Sequence, residues 1–497
     1  MTLVKQEYKI QFTETKEFRR KGNKMPFKDL REFLVRLEKE GELQRIAEEV
    51  DWNLEAGAMS RKALEENLPV PFFQRIKGHP AGYQMVSCLL TNHRRIAIAM
   101  DMAPDTPVKE LIEQYLRRKE KPIKPVLIKE APCKENVLKG DKADLRRFPV
   151  PMLHEGDGGR YLGTWHVTIS KEPGGDWLNW GMYRHMLHDK KSFGILAPLP
   201  KHFASMMEKI PNKPMEVAVA IGTEPISTFC AATPMPYGVS EVDVVGGLRG
   251  EPVELVNGEA VNLPVPATAE IVIEGEIRPG DMKDEGPFGE YTGYRSEERR
   301  PRPVVRVKAI THRNNPIFAM SCPGIPIDDS AAAFSICKSA AFLDELRGKG
   351  LPVTAAYVVP EGASHTIVVS TKVPYYGIAG EIAQVVWGAR HGLITPVVIV
   401  VEDDVDPFNL QQVFHAMMTK CHPVRGINKV EHALAWPLIP WLNSYEREYR
   451  MGARVYFDCT WPVDWKQSEI PKRMSFAEAY PEAIKKKALT KWRKYGY

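Results

Sequence analysis

Two glutamates held in a Gly/Pro frame, Glu285-Gly-Pro-Phe-Gly-Glu290, are the residues of this sequence best suited to moving a proton. Gly286, Pro287 and Gly289 exclude a helix, and the tight turn they permit lets both carboxylates project into one cavity. There, like-charge repulsion and burial favour keeping one acid protonated near neutrality, and a carboxylic acid held neutral is a proton donor. The competing reading is a solvated turn with two unrelated surface glutamates; Phe288 inside the frame weighs against it.

A second cluster, Trp177-Leu-Asn-Trp-Gly-Met-Tyr-Arg-His-Met-Leu-His-Asp189, is dense in aromatic rings and in side chains that bind anions or metals. Strand alternation puts Asn179 and Arg184 on opposite faces, so a shared site requires a bend near Gly181. His202 and Glu241 follow. With Asn179 they form an N/O donor set suited to Mg²⁺ or Mn²⁺, the more so if a phosphate completes the shell. Isolated His and Asn residues also serve as satisfied structural groups, and spacing alone leaves both uses open.

These groups need a scaffold of several cores. The chain has 497 residues with 43% apolar content, and at roughly 150 residues per domain that corresponds to about three domains. With 68 basic against 63 acidic residues the formal charge is +5, too small for an extended nucleic-acid surface. Residues 1–24 hold seven Lys/Arg and three Asp/Glu, a surplus of 4 that leaves +1 for the remainder. This basic leader reads as a tail, or as a start misassigned ahead of Met25. It lacks the apolar core of a secretory signal, and no apolar run approaches membrane-spanning length, so a cytoplasmic protein without membrane contact is expected. Seven scattered cysteines without a CxxC pair read as reduced and mostly buried.

Periodicity divides the chain into a basic extension (1–24), an N-terminal α/β domain (25–147), a β-rich middle (148–327), a connector helix (328–349), a C-terminal α/β domain (350–456) and a tail with a final helix (457–497). Leu30, Phe33, Leu34 and Leu37 recur at helical spacing, with Pro26 in the first turn and Gly41 at the end. Val108 to Lys119 is a further helix. The middle carries β-branched runs at Tyr161 to Ile169, Glu216 to Ile221, Ile271 to Ile277 and Val304 to Thr311, a pattern expected to close into a barrel-like sheet. Asp328, Asp329 and Ser330 offer N-caps to an Ala-rich helix that Gly348 and Gly350 end. Strands at Val353 to Val359, Thr366 to Val369 and Val397 to Val401 then interleave with helices near Gly380 to Arg390 and Leu410 to Lys420. A last helix is read over Ser475 to Lys494.

From about Met25 to Tyr497 the chain resembles the UbiD-type decarboxylases, which use prenylated FMN. The resemblance rests on DGGRYLGTWH (157–166), WLNWGMYRHMLHDK (177–190), PMPYGVSEVDVVGG (234–247), LPVPATAEIVIEG (263–275), EGPFGEYTGY (285–294) and THRNNPI (311–317). It implies an N-terminal α/β domain, a central split β-barrel of flavin-reductase type that holds the cofactor, a connector helix, and a C-terminal α/β domain that dimerises. It implies that Asn179, His202 and Glu241 ligate the divalent metal, usually Mn²⁺, that grips the cofactor phosphate, with a K⁺ site beside Glu241. Trp180, Met182 and Arg184 would also touch the cofactor. Arg184, Glu285 and Glu290 match a Glu-Arg-Glu network, with Glu290 as the proton donor and Arg184 orienting the carboxylate. Met182, Pro198, Tyr291, His415 and Met417 match or neighbour the lining of the substrate pocket. Gln411 departs from the family, which often has a Lys reaching the phosphate there.

Independently of the family, losing CO₂ from an sp² carbon leaves a carbanion that no ordinary side chain stabilises, so a cofactor must act as electron sink. The resemblance implies reversible, non-oxidative decarboxylation of an aromatic or α,β-unsaturated acid, and because CO₂ and proton exchange are reversible the same site could carboxylate at high CO₂. A flavin prenyltransferase would supply the cofactor to a homodimer or larger homo-oligomer. FDCTWPVDW (457–465) resembles members acting on aromatic carboxylates and tilts the substrate toward a benzoate-like or polycyclic aryl acid. Two alternatives are a flavin-reductase-type oxidoreductase, for which no GxGxxG follows a strand, and a non-catalytic cofactor-binding subunit.

Overall fold

The computed structural model describes residues 27–296 and 299–496; the basic leader and the Met25–Pro26 pair lie outside these. The Asp29 carboxylate accepts the Glu32 N–H at 2.9 Å and caps the helix Leu30–Lys39, which buries Leu30, Phe33, Leu34 and Leu37. The helix therefore starts at a side-chain cap three residues beyond Pro26. A four-stranded sheet follows, in the order Leu43–Val50, Val70–Ile76, Gln84–Ser87 and Ile317–Met320. The apolar run at Ile96 belongs to the helix His93–Ala99, and Val108–Lys119 is helical as read.

The central sheet has nine strands, and connectivity forces it to curl. Its edges are Tyr161–Gly163 and Leu178–Gly181. Only Thr164 and Trp165 join Tyr161–Gly163 to His166–Lys171, which lies second from the opposite edge. Only Met182, Tyr183 and Arg184 join Leu178–Gly181 to His185–Asp189, second from the first edge. At about 3.5 Å per residue, two or three residues cannot cross the intervening strands of a flat sheet spaced about 4.8 Å apart. The edges must approach each other, giving a split barrel with Met182–Arg184 at the seam.

Its longest pair, Ile271–Glu285 and Arg300–His312, runs antiparallel from Ile271 opposite His312 to Glu285 opposite Arg300, which sets Glu285 at the tip. Both strands extend well past their apolar runs because their outer halves are solvent-facing and polar. Asn136–Lys139 pairs with Arg300–His312 and Ile317–Met320 with Gln84–Ser87. The first two units thus exchange strands across residue 147, where composition alone suggests a boundary.

The connector helix Asp329–Gly348 is capped by Asp328, whose carboxylate accepts the Ala331 N–H at 2.8 Å. Ala331 to Ala333 and Ser335 to Ala340 are buried, so the first half of this helix is an internal spine, while Asp344, Glu345 and Arg347 in its last turns are exposed. Beyond it a five-stranded sheet runs in the order Val353–Val358, Thr366–Thr371, Val397–Glu402, Met451–Cys459, Ile427–Leu434, with helices Ile378–Gly388 and Leu410–Thr419. The final helix, Glu482–Lys491, begins only after Pro481 at its N-cap and continues as a 3-10 turn over Trp492–Tyr495. All seven cysteines are free and six are buried. Among the described residues no helix is long and apolar enough to cross a membrane.

Candidate active site

Leu178–Gly181 ends at the seam, and the chain turns out of the sheet before His185–Asp189 begins. This is the bend that strand alternation requires, and it frees Arg184 from the face opposite Asn179. The guanidinium reaches the hairpin tip, where Nε and Nη2 donate to Glu285 Oε1 and Oε2 at 2.8 and 2.7 Å. Nη1 donates to Glu290 Oε1 and to Ser296 Oγ at 3.3 Å. Glu285 is 1% and Glu290 7% exposed. The fork-to-fork geometry fixes the plane of the arginine, which also lies 5.4 Å from the centroid of the Phe288 ring.

The turn carrying the two acids is itself held from below. Tyr161 Oη donates to Glu285 Oε1 at 2.9 Å, and its ring meets Phe288 at 4.2 Å. Gly286 has φ +90°, a conformation open to glycine and costly for other residues. Its carbonyl oxygen lies 1.9 Å from where a Cβ on Gly158 would be. Asp157 accepts the Gly289 N–H at 2.9 Å. Tyr161, Asp157, Gly158 and Ser296 were not among the functional residues foreseen from sequence, although DGGRYLGTWH contains the first three.

Burial pushes the Glu290 carboxyl above the usual carboxylate range; Arg184 opposes this and the Glu285 charge adds to it. Burial acts to lower the Arg184 pKa, but the two carboxylates outweigh it and hold the guanidinium firmly charged. An acid whose proton affinity is raised by burial and adjusted by two charged neighbours is the arrangement expected of a proton donor.

Asn179, His202 and Glu241 gather behind the seam. Asn179 Oδ1 lies 3.2 Å from His202 Nδ1, and Glu241 accepts the Trp180 N–H at 2.9 Å from the first turn of Glu241–Arg249. Glu241 is 2% exposed, and burial raises its pKa to about 8 against the opposing Trp180 N–H and the Arg390 charge. His202 Nε2 and Trp180 Nε1 are buried without partners. A buried carboxylate beside an unpartnered imidazole nitrogen and an amide oxygen suits a divalent cation with an anion completing the shell, so these residues fit the expected metal and phosphate. Arg390, which sequence reasoning missed, donates to Met235 O at 2.8 Å, and its charge acts on both Glu241 and His202. Gln411 is exposed on Leu410–Thr419, and the cations whose charge acts on His202 are Arg390 and Lys201.

Met182, Pro198 and Tyr291 are half-buried. Tyr291 follows Glu290 and meets Phe334 and His365 edge-on, at 6.2 and 6.3 Å between centroids. His415 is exposed, and Met417 packs with Tyr357, Val359 and Ile399 against the C-terminal sheet. The neighbours of Tyr291 thus come from the connector helix and the start of the C-terminal domain.

At the seam of the split barrel an arginine stands between two buried glutamates, beside a donor set suited to a cation. The chain belongs to the UbiD family: models of the 3-octaprenyl-4-hydroxybenzoate carboxy-lyase N-terminal, Rift-related and C-terminal domains match residues 34–115, 124–326 and 335–459. Pyrrole-2-carboxylic acid decarboxylase of Pseudomonas aeruginosa is 32% identical over 489 residues, spanning 94% of this chain and 98% of the relative. The closed form of vanillic acid decarboxylase from Sedimentibacter hydroxybenzoicus superposes with a TM-score of 0.84 at 33% identity, over 94% of this chain and 99% of that one. An evolved dimeric form of HmfF from Pelotomaculum thermopropionicum in complex with prFMN gives 0.77 at 28% identity, over 89% and 97%. These likenesses favour the lyase over the oxidoreductase and over a subunit without turnover.

Proposed function

We propose that this protein catalyses the reversible, non-oxidative decarboxylation of an aromatic or α,β-unsaturated carboxylic acid with prenylated FMN in the split barrel. The buried bridge from Glu285 through Arg184 to Glu290 carries the reading, because it places an acid of raised proton affinity on the group that would orient the substrate carboxylate. Asn179, His202 and Glu241 would hold Mn²⁺ or Mg²⁺ against the cofactor phosphate, with K⁺ beside Glu241. Trp180 Nε1, buried and unpartnered, would donate toward the same group, with Met182 against it. When bound, prenylated FMN supplies the sink for the electron pair freed as the C–C bond breaks.

Arg184 has five N–H groups. Nε and one of Nη2 serve Glu285, and the pair on Nη1 serves Glu290 and Ser296. The bidentate edge is therefore committed to Glu285, and a substrate carboxylate must approach the Nη1/Nη2 edge. Protonation of Glu290 weakens its hold on Nη1, so the arginine accepts the carboxylate when the acid is loaded. After CO₂ departs, Glu290 gives its proton to the carbon that lost it, and the resulting carboxylate returns to Arg184. In the opposite direction the same residues would support carboxylation under high CO₂.

The apolar side chains exposed on the C-terminal segment, among them Leu434, Trp441, Tyr445 and Tyr449, support a homodimer or larger homo-oligomer. A cytoplasmic location accords with the reduced cysteines, and a flavin prenyltransferase would supply the cofactor. The test is co-expression with such an enzyme, then the visible spectrum and mass of the bound flavin and a CO₂-release screen over aryl acids. Purified protein that takes up no prenylated flavin under anaerobic reconstitution would overturn the reading.

A further inference from the structure

Lys338 lies in the connector helix, 1% exposed, with its Nζ buried and without a hydrogen-bond partner. The ammonium sits 3.8 Å from the centroid of the Phe334 ring, one turn earlier on the same helix. A buried charge lacking a counter-ion is costly, and the stretch of the helix around it, Ala331 to Leu343, carries no carboxylate that could pair with it. Burial pushes its pKa down to about 7, the response of a lysine whose anion is missing.

The surroundings repeat this imbalance. Phe334 meets Tyr291, the residue after Glu290, at 6.2 Å. The Trp436 indole N–H interacts with the Tyr291 hydroxyl, neither atom has a further partner, and Lys201 Nζ stands 6.0 Å from the Trp436 ring. His365 Nδ1 must donate to the Ile394 carbonyl at 2.9 Å, which leaves Nε2 of the neutral ring as the acceptor in the group. Donors from the barrel, the connector helix and the C-terminal domain thus converge where acceptors are scarce, beside an aromatic wall.

We propose that Lys338 anchors an anion subsite at this three-way junction, and that the subsite selects acids carrying a second anionic group remote from the carboxylate that is lost. The proposal rests on the decarboxylase reading above and narrows its substrate class to aryl acids with two negative charges. An anion here has two possible sources, the far end of the substrate or the cofactor phosphate. The aromatic chain from Lys338 through Phe334 and Tyr291 leads to Glu290, on the substrate's side, whereas the phosphate is assigned above to Asn179, His202 and Glu241 with Arg390; Lys201, whose charge acts on both His202 and Lys338, adjoins the two.

The test compares holoenzyme with Lys338→Met, a substitution of similar length that removes only the charge, measuring flavin content and calorimetric binding of benzoate, benzene-1,3-dicarboxylate and benzene-1,4-dicarboxylate. The wild type should bind at least one dicarboxylate about tenfold or more tightly than benzoate, the scale of one charge-assisted contact, and in Lys338→Met the ratio should fall to about one with flavin retained. A wild-type ratio near one for both dicarboxylates overturns the proposal whether or not the variant folds. So does an undiminished ratio in the variant, and so does loss of flavin from it, which would give Lys338 to the cofactor phosphate. Because binding is read without turnover, a protein that prefers dicarboxylates but releases no CO₂ from any acid refutes the decarboxylase reading and leaves the subsite standing.

Discussion

Asp157 Oδ1 accepts the backbone N–H of Gly289 at 2.9 Å, and the same carboxylate accepts the His154 N–H and faces His154 Nδ1, both at 3.2 Å. One buried acid thereby ties the turn before Tyr161 to the turn that carries Glu290. Asp157→Ala should leave the Gly289 N–H without its acceptor, at a cost of about 1–3 kcal/mol, and let the Glu290 turn drift. Displacements near 1 Å cost on the order of 10²-fold in rate. The expected result is a lower melting temperature and a kcat reduced by at least tenfold, with Asp157→Asn recovering part of both because its amide oxygen still accepts.

Glu290→Gln keeps the shape of the side chain and removes the transferable proton. Turnover should fall by about 10² to 10⁴-fold, the usual worth of a positioned general acid, while bound flavin is unchanged. CO₂ release and solvent-deuterium uptake into product are the readouts. Wild-type rates of both would remove Glu290 from its assigned role.

The pH profile supplies a sign. Glu290 must be protonated to donate, so activity falls as pH rises through its pKa. Burial and the Glu285 charge raise that pKa, and Arg184 lowers it. In Glu285→Gln one repulsive charge is gone and Arg184 is left to pair with Glu290 alone, both of which lower the pKa. The alkaline limb of kcat against pH should therefore move to lower pH, and an unmoved limb would show that another group controls it.

Much of this was legible in the sequence because the strongest signals are local. The four apolar positions of the first helix, the cap at Asp328 and the Glu285 to Glu290 frame are set by neighbours in the chain, whereas Asp329, also read as a cap, turns its carboxylate to the Leu90 N–H and the Ser321 hydroxyl. What periodicity could not give is closure: Asn179 and Arg184 read as opposite faces of one strand until the sheet order shows that the strand ends at the seam. Asp157 and Gly158 escaped notice because their partners lie about 130 residues downstream. His415 and Met417 enter the pocket list through the family resemblance alone, since the packing of their helix on the C-terminal sheet is not a feature that local periodicity encodes.

Removing the metal ligands should separate cofactor retention from protein folding. Glu241→Ala and His202→Ala are expected to lose flavin on gel filtration while keeping the wild-type far-UV circular dichroism, and chelator treatment of the wild type should reproduce the loss, with Mn²⁺ restoring binding. Flavin kept at wild-type stoichiometry in Glu241→Ala would exclude the ligand role.

Gly158 offers the most stringent structural test. An alanine there meets the Gly286 carbonyl at 1.9 Å, against backbone that cannot swing aside. Gly158→Ala should destabilise by about 1–3 kcal/mol through overpacking and reduce turnover by displacing the two glutamates together, a combination that thermal melts and kcat measured on one preparation will reveal.

Arg184 and Glu285 are 101 residues apart in sequence, and Arg31 reaches 239 residues along the chain to Glu270 near the root of the same hairpin. Contacts of such long range are made late in folding, since much loop entropy must be lost before they form. A ribosome still synthesising this polypeptide holds the arginine well before its first carboxylate partner exists, so a nascent or prematurely terminated chain has a flavin-type sheet in fragments and no assembled reaction centre.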